Sequence, residues 1–233
     1  MVTLVVVAAL FLVPGLLPNR LRSLVGFGDD RILPPVVAST QGAYSFLATT
    51  GGGPVRWDPC RPVRYEVNPE GAEPAWVELV HAAAEEIEHL TGLRLEYAGE
   101  SRRRPGWEAD FVPVTFGSGA PALIAWATAE EVPRLAGDVA GLGGAAPRAD
   151  QYGGESLSRG GITLDIDSFE AMAQRRDGRA AQRSVVLHEF GHLVGLGHVD
   201  DPEQLMYHGG TPALQFRDGD RAGLAAAGQG PCR

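Results

Sequence analysis

One run of eleven residues constrains this chain more than any other: His188-Glu189-Phe190-Gly191-His192-Leu193-Val194-Gly195-Leu196-Gly197-His198. It reads H-E-x-x-H-x-x-G-x-x-H without a mismatch. On a helix, residues four apart project from the same face, so His188 and His192 are neighbours there. Two imidazoles on one face can share a zinc ion, at Zn–N distances of about 2.0–2.1 Å. Glu189 falls beside them, where a general base for an activated water belongs. Gly195 can take a positive φ at little steric cost and so end the helix. The chain can then fold back and deliver His198 as a third ligand. Three histidines leave one position of a tetrahedral ion open, the layout of a catalytic rather than a structural zinc. The bland alternative is a helix with incidental surface histidines. It requires a glycine and a third histidine to fall at fixed offsets by chance.

The extended motif resembles the signature of the metzincin zinc endopeptidases, in which a Met-turn follows with its methionine beneath the zinc histidines. Gln204-Leu205-Met206-Tyr207 stands in that place here, and the resemblance assigns the Met-turn role to Met206. The Leu-Met-Tyr wording is most similar to the matrixin branch. Asp218-Gly219-Asp220-Arg221-Ala222-Gly223-Leu224 likewise resembles the acidic start of the last matrixin helix, which Gly228 would end. The likeness runs over roughly residues 60–230 and is specific from about 185 to 228. Val199 departs from it, because matrixins usually carry a small polar residue after the third histidine. The Pro-Arg-Cys-Gly switch and the additional structural-zinc histidines of vertebrate matrixins are absent as well.

A bacterial-type, matrixin-like enzyme is therefore implied. The fold expected is α+β: a mixed twisted sheet with a backing helix, an active-site helix and a C-terminal helix. The activity expected is endopeptidase cleavage of peptide or protein substrates, with one catalytic Zn2+ and Glu189 as base. The resemblance makes the glycine-rich stretch 139–145 the sheet edge along which substrate lies, its glycines letting a substrate backbone approach closely, with Leu142 and Gly143 as pocket candidates; a plain glycine loop is the alternative. Tyr207 and His208 are further pocket candidates, and His208 occupies the position at which some other metzincins present a tyrosine to the zinc. Matrixins also hold calcium through an acidic residue near the strand at 161–167, which makes Asp150, Asp165 and Asp167 candidate Ca2+ ligands or else solvated carboxylates. Two other functions stay open: an extracellular binding module that keeps metal without catalysis, and a hydrolase of non-peptide substrates.

The formal charge of −9, with all 20 basic residues Arg, gives no overall pull toward nucleic acid or anionic membranes. Arg175, Arg176, Arg179 and Arg183 cluster, and read as a solvated helix face rather than an anion site. A monomer is expected. Residues 1–17 are apolar almost throughout, short for a membrane span of about 20 residues and right for a secretory h-region. Residues 1–18 thus read as a signal peptide or signal anchor, and any membrane contact is expected through them alone. Residues 19–55 read as a linker or short pro-segment, with a flexible run at 49–54, and 56–233 as the catalytic domain. Cys60 and Cys232 lie at the two margins of that domain. In an oxidising compartment a disulfide between them is the simplest reading; a zinc-blocking thiol at Cys60 is the rival.

Periodicity supplies the elements. Alternation predicts strands over 62–68 and 93–97, and Pro74 to Thr91 carries apolar residues at helical spacing with Gly92 as the stop. His81 and His89 on that helix read as solvated or half-buried. Further strands are expected over 110–116, 123–128 and 161–167. Ser168 is expected to cap a short helix reaching about Arg176, and the active-site helix to run from about Arg179 to Val194.

Overall fold

The computed structural model describes residues 31–38, 41–51, 53–107, 119–149, 154–210 and 213–232. The expected leader, the expected strand at 110–116 and Asp150 lie outside the described residues. Among those described, no helix is long and apolar enough to cross a membrane.

Among the described residues, three two-residue strands come first: β1 (Ser45–Phe46), β2 (Thr49–Thr50) and β3 (Gly53–Pro54). The run expected to be a flexible linker is instead a tight β2–β3 hairpin. Gly53, at φ 110°, makes the reversal open to glycine and strained for other residues.

β4 (Val63–Asn68) alternates, burying Val63, Tyr65 and Val67. Helix α1 (Pro74–Thr91) follows. Proline opens it, where a missing N–H costs nothing, and Trp76, Val80, Ala83, Ala84 and Ile87 form its buried stripe. Gly92 closes it in the left-handed region at φ 67°, donating to Glu88 O at 2.9 Å. β5 (Leu95–Glu100) returns beside β4. β6 (Ala122–Ala127) is buried at every position, as a central strand covered on both faces must be. β7 (Gly141–Ala149) and β8 (Glu155–Asp165) complete the sheet.

Strand order is β5-β4-β6-β8-β7, the first four parallel and β7 antiparallel at the edge. The stretch expected to be the cleft-side edge is therefore an edge strand. Helices α2 (Ile166–Ala173), α3 (Gly178–Leu193) and α4 (Asp218–Ala227) follow, with the short strand β9 (Leu196–Gly197) between the last two. α1 packs on both α3 and α4, and α3 lies against β7 and β8. One core unites them, with Trp76 stacked on Trp126 and edge-on to Phe169, and Phe190 edge-on to Tyr65. The fold is the α+β, metzincin-like arrangement expected.

The last strand stops two residues earlier than alternation predicts. Asp165 caps α2 instead, its Oδ2 accepting from Ser168 N at 2.8 Å. The cap is thus Asp165 and not Ser168, because the carboxylate reaches back over the first helical turn. Asp167 already lies inside the helix, so Asp165 and Asp167 do not share a strand face. His81 is half-buried and bonds Tyr65 Oη at 3.0 Å. In the arginine cluster, Arg175 pairs with Asp177 at 2.9 Å, Arg179 with Glu78 at 3.4 Å, and Arg183 with Glu86. Cys60 and Cys232 form a disulfide, so Cys60 is no free thiol.

Candidate metal centre

Helix α3 carries His188 and His192 one turn apart, and Gly195 at φ 107° reverses the chain after it. β9 then delivers His198. The three Nε2 atoms form a near-equilateral triangle: His188–His192 3.1 Å, His192–His198 3.1 Å and His188–His198 3.2 Å. Tetrahedral bonds of about 2.0–2.1 Å to one zinc ion place ligand nitrogens about 3.3 Å apart. The triangle therefore fits a single small ion of that kind, and the three side chains can hold one.

Two of the rings are fixed from behind. His188 Nδ1 lies 2.7 Å from Leu205 O, and His192 Nδ1 lies 2.8 Å from Leu196 O. A carbonyl only accepts, so each Nδ1 carries the proton and each Nε2 presents a lone pair. Burial is the largest cause lowering His188 to about 4. The Leu205 carbonyl pulls the other way, and His198 adds a smaller downward push. His192 is pushed well below the usual range by burial and then by His188. Neutral imidazoles, the ligand form, are thus favoured throughout the physiological range.

Glu189 is buried beside the histidines, and burial raises its carboxyl to about 8. It lies against the edge strand. A Cβ at Gly141 would meet Glu189 Cγ at 2.8 Å, and one at Gly143 would meet Glu189 Oε2 at 2.8 Å. The glycines of β7 thus admit the helix that carries Glu189. The close approach these glycines permit is thus that of α3, where the sequence leads one to expect a substrate backbone.

Met206 is buried under the same helix. A Cβ at Gly191 would meet its Sδ at 2.6 Å, so glycine in the second variable slot of H-E-x-x-H is what lets the sulfur sit there. Val199 N donates to Met206 O at 3.0 Å, closing the turn onto the chain that follows His198. Asp220 of α4, expected from sequence only as part of that helix's acidic start, holds the turn. Its carboxylate accepts from Leu205 N at 2.7 Å, Met206 N at 3.2 Å and Arg217 N at 2.9 Å. Burial raises Asp220 above the usual carboxylate range, against the pull of those three amides. Gln204 Oε1 accepts from Asp220 N at 3.0 Å and completes the joint.

The remaining candidates scatter. Leu142 is buried with Ala127, Val132 and Leu135 in a second small cluster. Tyr207 is half-buried, with its ring 4.6 Å from that of His208. His208 is exposed, 3.7 Å from Asp200, and near enough to His198 to depress its titration further after burial has done so.

The model of the matrixin family matches residues 129–226, a span that takes in every one of these groups. The chain is matrixin-like. That match supports a zinc metalloprotease in general terms. Solved structures similar to the matrixin-like chain include the GM1-bound form of the ECX AB5 holotoxin, at 14% identity and TM-score 0.41, over 73% of this chain and 81% of that one. A zinc-dependent peptidase from Methanocorpusculum labreanum is similar at 14% identity and TM-score 0.34, over 69% of this chain and 98% of that one. High choriolytic enzyme 1, a hatching zinc-protease from Oryzias latipes, is similar at 11% identity and TM-score 0.25, over 69% of this chain and 55% of that one. No curated protein matches the chain significantly.

Proposed function

We propose that this matrixin-like chain is a zinc-dependent endopeptidase in which His188, His192 and His198 hold the ion and Glu189 is the general base. The observation that carries the proposal is the Nε2 triangle of 3.1–3.2 Å edges with a buried carboxylate one residue from its first corner. Zinc, when bound, supplies a Lewis acid that makes a water nucleophilic near neutral pH and offsets charge on a carbonyl oxygen. The chain supplies the rest. The Leu205 and Leu196 carbonyls keep His188 and His192 in the ligand tautomer. Glu189 takes a proton from the attacking water and returns it to the departing amine nitrogen. Burial raises its carboxyl, which favours its holding the proton between the two steps. Met206 underlies the ligand helix as the Met-turn residue.

An extended peptide would add to the free edge of β7, with Gly143, Tyr207 and His208 along its path. A disulfide suits an extracytoplasmic site of action. We assign export to residues 1–18, a pre-domain segment to 19–55 and catalysis to 56–233.

The test is cleavage of a mixed quenched-peptide library by the full chain and by Glu189→Gln at equal zinc occupancy. Cleavage by the parent and a loss of at least about a thousandfold in the variant are expected, since general-base removal costs about that much. Equal turnover would sink the assignment. Zinc binding without cleavage by either protein would favour a binding module.

A further inference from the structure

We infer that β1, through the Ser45 hydroxyl, is a positioning element for the third metal ligand, His198. The inference rests on the metal-site reading above and concerns what holds that site in shape. It starts from an asymmetry among the three histidines. His188 and His192 each have Nδ1 tied to a backbone carbonyl. Among the described residues, no hydrogen bond is made by His198 Nδ1, and its ring is the more exposed one. The orientation of His198 therefore depends on the backbone that carries it.

That backbone is held from outside by a segment some 150 residues earlier. Leu47 N donates to Gly195 O at 2.9 Å. Phe46 pairs with Leu196 and Ser45 with Gly197, antiparallel. Ser45 Oγ then donates to His198 O at 2.6 Å. The whole reversal from Gly195 to His198 is thus edged by residues 45–47. The same Leu196 peptide offers its carbonyl to His192 Nδ1, so the clamp serves two ligands, directly for His198 and through β9 for His192.

The clamp is built for a close fit and anchored behind. A Cβ at Gly197 would meet Ser45 Oγ at 2.6 Å, and one at Gly223 on α4 would meet Tyr44 Cβ at 2.8 Å. Arg56 covers the Phe46 ring at 5.3 Å. The stretch 44–46 is thus held between α4 and the ligand loop, so this part of the pre-domain segment packs on the catalytic domain.

The experiment uses the full chain as parent, Ser45→Ala and Ser45→Thr, each loaded with Co2+ as a visible reporter and with Zn2+. Metal dissociation constants come from chelator competition, and the cobalt d–d spectrum reports ligand geometry. Groups that orient ligands from outside the metal's own shell are worth about 10–100-fold in affinity. Ser45→Ala is expected to weaken both metals about tenfold and to shift the cobalt bands, with the metal-free melting midpoint little changed. Ser45→Thr, which keeps the hydroxyl, is expected to match the parent. Unchanged affinity and spectrum in Ser45→Ala would overturn the inference, as would equal impairment in both variants. If the parent itself takes up no Co2+, the metal-site reading fails. If the parent binds cobalt but cleaves no peptide, only the peptidase reading fails, and the Ser45 comparison still decides this one.

Discussion

Asp220 and His188 are bonded to opposite ends of the same residue. The carboxylate of Asp220 accepts from Leu205 N at 2.7 Å, and Leu205 O accepts from His188 Nδ1 at 2.7 Å. The last helix thereby fixes the first ligand of the candidate metal centre through one residue of the turn that carries Met206.

Removing that carboxylate should cost both stability and metal affinity. Asp220→Ala leaves three amides without their acceptor in a buried position, and each buried unsatisfied group costs about 1–3 kcal/mol. Because relaxation and water recover part of that, we expect about 2–4 kcal/mol of destabilisation. A weaker zinc complex should accompany it. Denaturant melts of the metal-free protein and chelator competition measure the two effects. A change below about 1 kcal/mol with unaltered affinity would show that the joint carries no weight.

The glycine at 143 should matter to turnover more than to metal binding. An alanine Cβ there would meet the Glu189 backbone oxygen nearest of all, then Glu189 Oε2 at 2.8 Å and Glu189 Cα at 2.9 Å, closer than real Cβ contacts come. Either β7 or the base must move. A misplacement of about 1 Å costs on the order of a hundredfold in rate. We expect Gly143→Ala to lower kcat by about that much while zinc stoichiometry stays at one. Parent-like kcat would show that β7 yields instead.

The metal-free protein should be most stable near neutral pH, with a separate cause on each side. His188 titrates at about 4 in the folded state against about 6.5 unfolded, and His192 is lowered well below that value too. The unfolded chain therefore binds protons that the native chain refuses. Stability present above about 6.5 is lost as pH falls toward 4. Glu189 has the opposite sign, raised from 4.5 to about 8. Its contribution is complete below 4.5 and is lost as pH rises through 8. Melting midpoints in chelator from pH 4 to 9 should fall on both flanks, and Glu189→Gln should flatten only the alkaline one. An alkaline fall of the same size in Glu189→Gln would refute the assignment.

The Cys60–Cys232 bridge closes a loop of 172 residues with its Cα atoms 5.3 Å apart. Chain-entropy reasoning gives such a loop about 5 kcal/mol at most, and measured gains are often smaller. Replacing both cysteines by serine should lower the denaturation midpoint markedly and leave zinc affinity at 25 °C within about twofold. Loss of zinc binding in a still-folded variant would mean that the bridge shapes the site as well.

Local sequence made part of this centre legible. The spacing of His188, Glu189 and His192 is a helical relation, and Gly195 marks a reversal by its own conformational freedom. α1 could be read to the residue for the same reason, with Pro74 and Gly92 as punctuation and the apolar stripe between them. Long-range partnerships carried no such mark. Asp220 looks in sequence like any acidic residue in the first turn of a helix, and only packing shows that it also holds the turn that carries Met206. Ser45 lies 153 residues from His198 in the stretch 44–47, whose weak strand signal points to pairing or packing on the domain but names no partner. Asp165 was read as strand because Asp165 and Asp167 fit alternation as well as capping, and only the helix that follows separates the two. Leu142 fits a cleft by position, yet its side chain packs with Val132 and Leu135.

The edge strand also bears on colloidal behaviour. An antiparallel strand at the end of a sheet offers a ladder of unmatched amides and carbonyls to any extended chain, including another copy of itself. Along β7 that ladder is interrupted: the register against β8 shifts between Ala146 and Pro147, Pro147 lacks an N–H, and Arg148 follows. The stretch able to template another strand thus runs only from Gly141 to Ala146. The continuous lengthwise pairing that seeds fibrils is broken off there.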